Sequence, residues 1–305
     1  MLLNVRNKKK KIYFISALIF AVLLIYFSKN VSVAIIYGIR MSVTRVIPIV
    51  FPFLILSDFI LAYNIFSDGI ISRILSRIFG FSRNGATAFI TGFICGFPNG
   101  VKCASDLYQN GMIDKDECEI LIGVSNNPSL AFILSGVGLG IRANIFDGLL
   151  LLFMTFLSAL ILSRAMFLKK PCNSLNNGVN IRQSFDLVDS VKKAGISSLY
   201  ISSNIIFFSL ISSLFSSVLK SDILKILIDS LLEISNGCIM INSINVLSEK
   251  TSLVLTAFAI GFSGFSVHLQ SFCFLPKEIS RKKYLYIKFL QGVIMMILST
   301  IYFVI

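Results

Sequence analysis

Apolar runs long enough to cross a bilayer recur along the chain, and they restrict its fold more than any other feature. Ile12–Phe27 is apolar except for Ser16, and Val46–Ala62 has Ser57 and Asp58 as its polar members. Ile145–Leu168 is interrupted mainly by Asp147, Ser158, Ser163 and Arg164, and Ile196–Leu219 mixes apolar residues with serines. Ser252–Leu275 and Tyr284–Ile305 complete the set. A spanning helix needs about 20 mostly apolar residues to cross ~30 Å of hydrocarbon. The short alternating segments of a transmembrane barrel are absent from the sequence. Composition agrees: 14% of residues are charged, against about 25% in a soluble domain. The expected fold is an all-α polytopic membrane protein.

The formal net charge of +13 is placed for topology rather than for nucleic acid. Arg6 and Lys8–Lys11 precede the first apolar run; Lys169, Lys170, Arg182, Lys192 and Lys193 fill the polar stretch Pro171–Gly195 and its edges; Arg281–Lys283 precede the last run. Cationic residues held on the cytoplasmic side give this pattern. The expected location is a cell membrane, crossed several times, with a cytoplasmic N-terminus and the lipid bilayer as principal partner. The first apolar run is long for a signal peptide and lacks a small-x-small cleavage pattern, so it reads as an uncleaved helix. The six cysteines form no C-x-x-C pair and His268 is the only histidine, which argues against a metal site. No nucleophile elbow, P-loop or H-E-x-x-H is present. The sequence therefore points away from an enzyme and implies no cofactor.

Two parts of the chain resemble each other. In "TAFITGFICGFPNGVK" (87–102) and "TAFAIGFSGFSVHLQ" (256–270), Thr87, Ala88, Phe89, Gly92 and Phe93 match Thr256, Ala257, Phe258, Gly261 and Phe262. After a one-residue gap Gly96 and Phe97 match Gly264 and Phe265, and Lys102 falls opposite Gln270. "IVFPFLILSDF" (49–59) aligns with "IIFFSLISSLF" (205–215) in the same order. With the N-terminus inside, the matched helices cross in opposite directions, the plan of an inverted repeat. The organisation expected is an N-terminal transmembrane helix (1–30), a first repeat (31–168), a cytoplasmic polar linker (169–195) and a second repeat (196–305). Crossing parity makes "AFITGFICGFPNGVK" enter and leave on the cytoplasmic side. Symmetry would make "AFAIGFSGFSVHLQ" dip from the outer side, although Ser252–Leu275 is also long enough to cross fully.

Candidate site residues lie where the helices should break. Pro98 removes a backbone donor, and Gly96 and Gly100 permit tight turns. Peptide groups freed in this way cannot face lipid, so they are buried in protein or line a wet cavity. Asn99 and Lys102 follow the turn. Ser125, Asn126, Asn127 and Pro128 interrupt a second apolar run. Pro128 suits the first turn of a half-helix capped by Asn126 or Asn127. "EISNG", with Asn236 and Gly237, supplies the polar break of the second half, where Gly264, His268 and Gln270 follow. Asp58, alone in an apolar helix, reads as a coupling group or as the partner of Lys102 or Arg45. Asn126 could equally make an ordinary interhelical hydrogen bond, worth ~0.6 kcal/mol.

"VIPIVFPFLILSDFIL", "GFICGFPNGVK", "SNNPSLAFI", "EISNG" and "GFSGFSVHLQ", in that order over nearly the whole chain, resemble the YlbJ family of sporulation integral membrane proteins, which carry nucleoside-recognition (Gate) domains. Asp58 stands where the family pattern has glutamate, Phe97 where it has tyrosine, and Ser263 where it has the first of two glycines. The resemblance implies an inverted repeat of two Gate-like halves with broken or re-entrant helices. It also implies a role in forming the endospore cortex, from the mother-cell side. Two functions stay open at this point. One is a transporter or gate for an unidentified small polar solute; the other is a non-transporting scaffold for spore-envelope assembly. Either could act as a monomer or an oligomer.

Overall fold

The computed structural model describes residues 2–63, 65–66, 69–168, 185–243 and 247–304, with the backbone alone for 2–10, 45 and 49. Every regular element among them is helical. Lys169, Lys170, Cys172 and Arg182, in the expected polar linker, lie outside the described residues, as does the side chain of Arg45.

Helix α1 (Leu2–Tyr26) meets α2 (Ser28–Met41) at a 90° bend. A short π-helical turn, Ser42–Val46, leads into α3 (Ile47–Ala62). Helix α4 (Ile70–Phe79) ends on Gly80, whose φ of +91° is the left-handed stop that glycine adopts without strain. Ser82 Oγ accepts from Gly85 N at 3.0 Å and so caps α5 (Arg83–Cys95). Helix α6 (Asn99–Gln109) follows a break. Asp114 caps α7 (Lys115–Val124), accepting from Glu117 N at 2.7 Å. A second π-helical segment, Phe132–Ile141, precedes α8 (Ile145–Phe167).

The second part opens with α9 (Leu187–Val218), 32 residues long, then α10 (Asp222–Leu232) and α11 (Ile234–Ser243). Ser248 caps α12 (Glu249–Phe262), which passes into α13 (Gly264–Phe272); Ser280 caps α14 (Arg281–Tyr302). By length and composition α8, α9, the α12–α13 pair and α14 can each cross a membrane, and the bent α1–α2 pair makes up to five spans. The protein is thus an all-α polytopic membrane protein.

Its interior has three apolar centres. Phe79, Phe89, Leu107, Leu121, Leu162 and Ile287 join α4–α8 to α14. Ile133, Leu151, Ile234, Ile260 and Met295 join the long π segment and α8 to α11, α12 and α14. Leu54 packs on Ile201 and Ile205 between α3 and α9. Helices α8 and α14 contribute to both large centres and hold the two parts of the chain together. The apolar side chains of α1 from Ile12 to Tyr26 stay largely outward, as a lipid-facing helix requires.

Candidate functional site

The turn at Gly96 folds α6 back against α5, so 83–109 forms a helical hairpin. Gly96 has a φ of +76°, and the Phe97–Pro98 peptide is cis. The chain from Ser125 to Ser129 carries no helix and crosses this hairpin. A Cβ on Gly92 would lie 2.0 Å from Ser125 O, and one on Gly100 only 2.3 Å from the same atom. A Cβ on Gly96 would meet Ser129 N at 2.7 Å. Glycines one turn apart thus open a slot in which one broken element receives the backbone of another. The "GFICGFPNG" motif serves this close approach as well as the turn.

The second copy of the motif behaves differently. Ser263 and Gly264 both have positive φ, at 74° and 81°. Yet α13 continues from α12 as one candidate span of 24 residues instead of folding back. The alignment gives the reason: Pro98 is replaced by Ser266 and Gly100 by His268. Without a glycine in its first turn, a returning helix could not receive a crossing backbone as Gly100 receives Ser125. Gly264 instead abuts the α10–α11 break, with Ile234 N 3.2 Å from the position of a Cβ.

The 125–129 break was expected to be capped by Asn126 or Asn127. Ser129 caps it instead, its Oγ accepting from Phe132 N at 3.2 Å. The asparagines turn inward, because other helices supply partners that lipid cannot. Asn126 Nδ2 donates to Tyr284 Oη at 2.8 Å and to Ser271 Oγ at 2.9 Å. His268 Nδ1 lies 3.2 Å from the same Tyr284 oxygen. Lys288 Nζ donates to the main-chain oxygen of Asn126 at 2.9 Å and to Gln291 Oε1 at 2.7 Å. Gln291 Nε2 in turn donates to Asn127 Oδ1 at 2.8 Å. Asn126, Asn127, Lys288 and Gln291 are all 0% exposed. Ser125 Oγ is spent within its own helix, on Leu121 O at 2.7 Å.

The other sequence-derived candidates go elsewhere. Lys102 forms a salt bridge with Asp58 of α3 and another, at 3.2 Å, with Asp106 one turn on. Ser190 of α9 donates to the second Asp58 oxygen at 2.9 Å. The buried Asn99 side chain donates to Cys95 O at 3.4 Å. Asn236 accepts from Tyr37 at 3.3 Å and borders an open groove of about 540 Å³ that Lys29 and the serine face of α9 also line. Gln270 donates to Ser266 at 3.3 Å. Gly237 lets α11 touch α10, a Cβ there lying 2.5 Å from Ser230 Cα. The structure therefore gathers Asn126, Asn127 and His268 in one hydrogen-bonded network, with Gly92, Gly96 and Gly100 against the backbone of Ser125 and Ser129 beside it. Asp58 with Lys102, and Asn236, occupy two other places.

Sequence reasoning missed Tyr284, Lys288 and Gln291 of α14. The available signal was a lysine and a glutamine one turn apart inside the last apolar run, since an ionisable residue at membrane depth marks function by default.

Broken helices closed around a buried polar network mark this polytopic α-helical membrane protein. The chain is similar to the sporulation integral membrane protein YlbJ of Bacillus subtilis (strain 168), at 25% identity over 300 aligned residues that cover 84% of this chain and 73% of the relative. No family model matches the chain, and no solved structure matches it.

Proposed function

We propose that this protein serves endospore formation, in the building of the cortex from a mother-cell-derived membrane, as a transporter or gate for a small polar solute. It moves or admits that solute rather than transforming it. The supporting observation is the interior break at 125–129. There, Asn126 and His268 are buried and share one tyrosine hydroxyl, yet each keeps a polar atom with no partner, Oδ1 and Nε2. Leaving buried polar atoms unmatched costs about 1–3 kcal/mol each, a cost a passive core would remove by substitution. An interrupted helix beside the site also accords with transporters whose substrate sites form at broken helices.

A scaffold for spore-envelope assembly is the second reading. What favours it is that Asn127, Tyr284, Lys288 and Gln291 bond mainly to one another or to Asn126, as a rigid core would. Thermal unfolding of the purified chain separates the two. A solute held 100-fold above its Kd stabilises the folded state by about 2.7 kcal/mol. A shift with some member of a nucleoside, sugar, amino-sugar and metal-ion panel supports the gate; silence across the panel at millimolar levels supports the scaffold. In a spore-forming host, Asn126→Leu and Asn99→Leu should insert normally and fail to restore sporulation. Full complementation by both would remove the site.

A further inference from the structure

The groove between α2 and α9 is a second polar place in the molecule, far simpler in charge than the interior. Asn30 Nδ2 donates to Ser217 Oγ at 2.9 Å, and a Cβ on Gly38 would come within 2.9 Å of Ile206 Cα, so the helices touch at both ends of their seam. The groove of about 540 Å³ lies along it, a size within the range of small-molecule sites, about 300–1,000 Å³. Its α9 wall carries hydroxyls from Ser209 to Ser217, two turns or about 12 Å of helix. Ser212 gives its proton to Asp229 Oδ1, and Ser213 gives its own to Asn30 O at 3.3 Å. Both oxygens are left with only lone pairs to offer. Ser209 borders the groove, is 6% exposed and has no hydrogen-bond partner among the described residues. A hydroxyl so enclosed calls for a partner that a ligand brings.

Charge and surroundings narrow the choice. Among the described residues that line the groove, Lys29 alone is charged, and no acid pairs with it. Asp229, 5% exposed, does not border the space. Because Asn30 bonds to the last turn of α9, Lys29 stands level with the end of a candidate span, where Lys220 is also exposed. With basic residues held inside, that end would face away from the cytoplasm, so the orienting rule gives no reason for either lysine. The flanks are apolar: Val33 of α2 and Phe215 and Val218 of α9 are exposed, as on a surface that meets lipid. A hydroxylated groove with one cation at its end and apolar flanks complements an amphiphile, anionic at the head and hydrocarbon beyond it.

We propose that the α2–α9 groove binds an anionic phospholipid with a hydroxylated headgroup. The phosphate pairs with Lys29, the headgroup hydroxyls meet the wall from Ser209 to Ser213, and the acyl chains lie along Val33 and Phe215. The site is separate from the 125–129 break and does not rest on the transporter reading.

Thermal unfolding of the full chain, purified and delipidated in a neutral maltoside, tests this at constant ionic strength with three probes: dioleoylphosphatidylglycerol, dioleoylphosphatidylcholine and inorganic phosphate. Phosphatidylglycerol should raise the melting temperature, and the other two should not. Lys29→Gln, at an exposed position, should need about fivefold more phosphatidylglycerol for the same shift, the factor that one headgroup lysine is worth. Lys192→Gln, exposed at the opposite end of α9, should respond as the unaltered chain does. Ser216→Leu narrows the groove and should reduce the shift. Equal shifts with both lipids overturn the inference. A shift with inorganic phosphate as large as that with phosphatidylglycerol also overturns it, by marking a site for a free anion. So does an unaltered response in Lys29→Gln or Ser216→Leu, or a loss in Lys192→Gln that matches Lys29→Gln and so reports charge at large. No shift with any probe overturns it as well. Each of these outcomes leaves the reading of the 125–129 break where it was.

Discussion

Lys288 Nζ lies 2.9 Å from the main-chain oxygen of Asn126, so a side chain of the last helix closes a carbonyl released where α7 stops. Its second acceptor, Gln291 Oε1, belongs to the next turn of its own helix. Lys288→Met keeps most of the volume and removes every donor. Each buried oxygen left unmatched should cost about 1–3 kcal/mol, measured as a lower free energy of unfolding in detergent. An unchanged melting temperature would show that the amine does not secure the break.

Gly100 and Gly195 offer a paired test of close approach. A Cβ at Gly100 would stand 2.3 Å from Ser125 O, whereas nothing lies within 4 Å of one at Gly195 in α9. Gly100→Ala must push backbone against backbone and should abolish a monodisperse, folded preparation. Gly195→Ala should be neutral or stabilise by up to ~1 kcal/mol through helix propensity. Size-exclusion profiles and unfolding curves read both. Equal behaviour of the two variants would mean that the 125–129 segment does not lie in the glycine slot.

Much of this arrangement was legible because its signals are local. Apolar runs announce spans, and Gly96 with Pro98, or Asn126 and Asn127 before Pro128, announce interruptions wherever the chain later goes. What the sequence hid was which interruption meets which. Nothing near Gly92 or Gly100 says that their empty faces receive Ser125, some 30 positions on in the chain. Lys288 was hidden for another reason: it follows Arg281–Lys283, so it reads as one more cytoplasmic charge until the helix turns it inward. The extended course of α12–α13 was present in the alignment as His268 opposite Gly100. That substitution acquires meaning only once the glycine is seen against backbone.

The ion cluster on α3 and α6 makes a prediction about coupling. Lys102 faces both Asp58 and Asp106, with Ser190 supporting Asp58. Lys102→Met removes the cation that bridges the two carboxylates and should destabilise strongly. Adding Asp58→Asn should recover part of the loss. Residues in one network couple by about 0.5–3 kcal/mol, and a double-mutant cycle on unfolding free energies should return a value in that range. Strict additivity would mean that Lys102 is held by Asp106 alone.

Sidedness follows from the charges and can be read with one native thiol. Cys103, in α6, is fully buried and unsuited to labelling. Cys273 is exposed, lies just beyond α13 and precedes Lys277 and Arg281–Lys283. If basic residues stay inside and α12–α13 crosses completely, a membrane-impermeant maleimide should reach Cys273 only from the cytoplasmic face. By the same rule Lys220, exposed beyond the end of α9, would lie one full crossing from the cytoplasmic side, and Lys220→Cys should then be labelled only from outside. The assay uses intact cells against inverted vesicles, with Cys172 replaced by serine so that the linker contributes no signal. Labelling of Cys273 from outside while Lys220→Cys also reacts there would make α12–α13 a dip from the outer surface. That outcome would restore the symmetric re-entrant pair and reverse the direction of α14, carrying Lys288 toward the opposite leaflet.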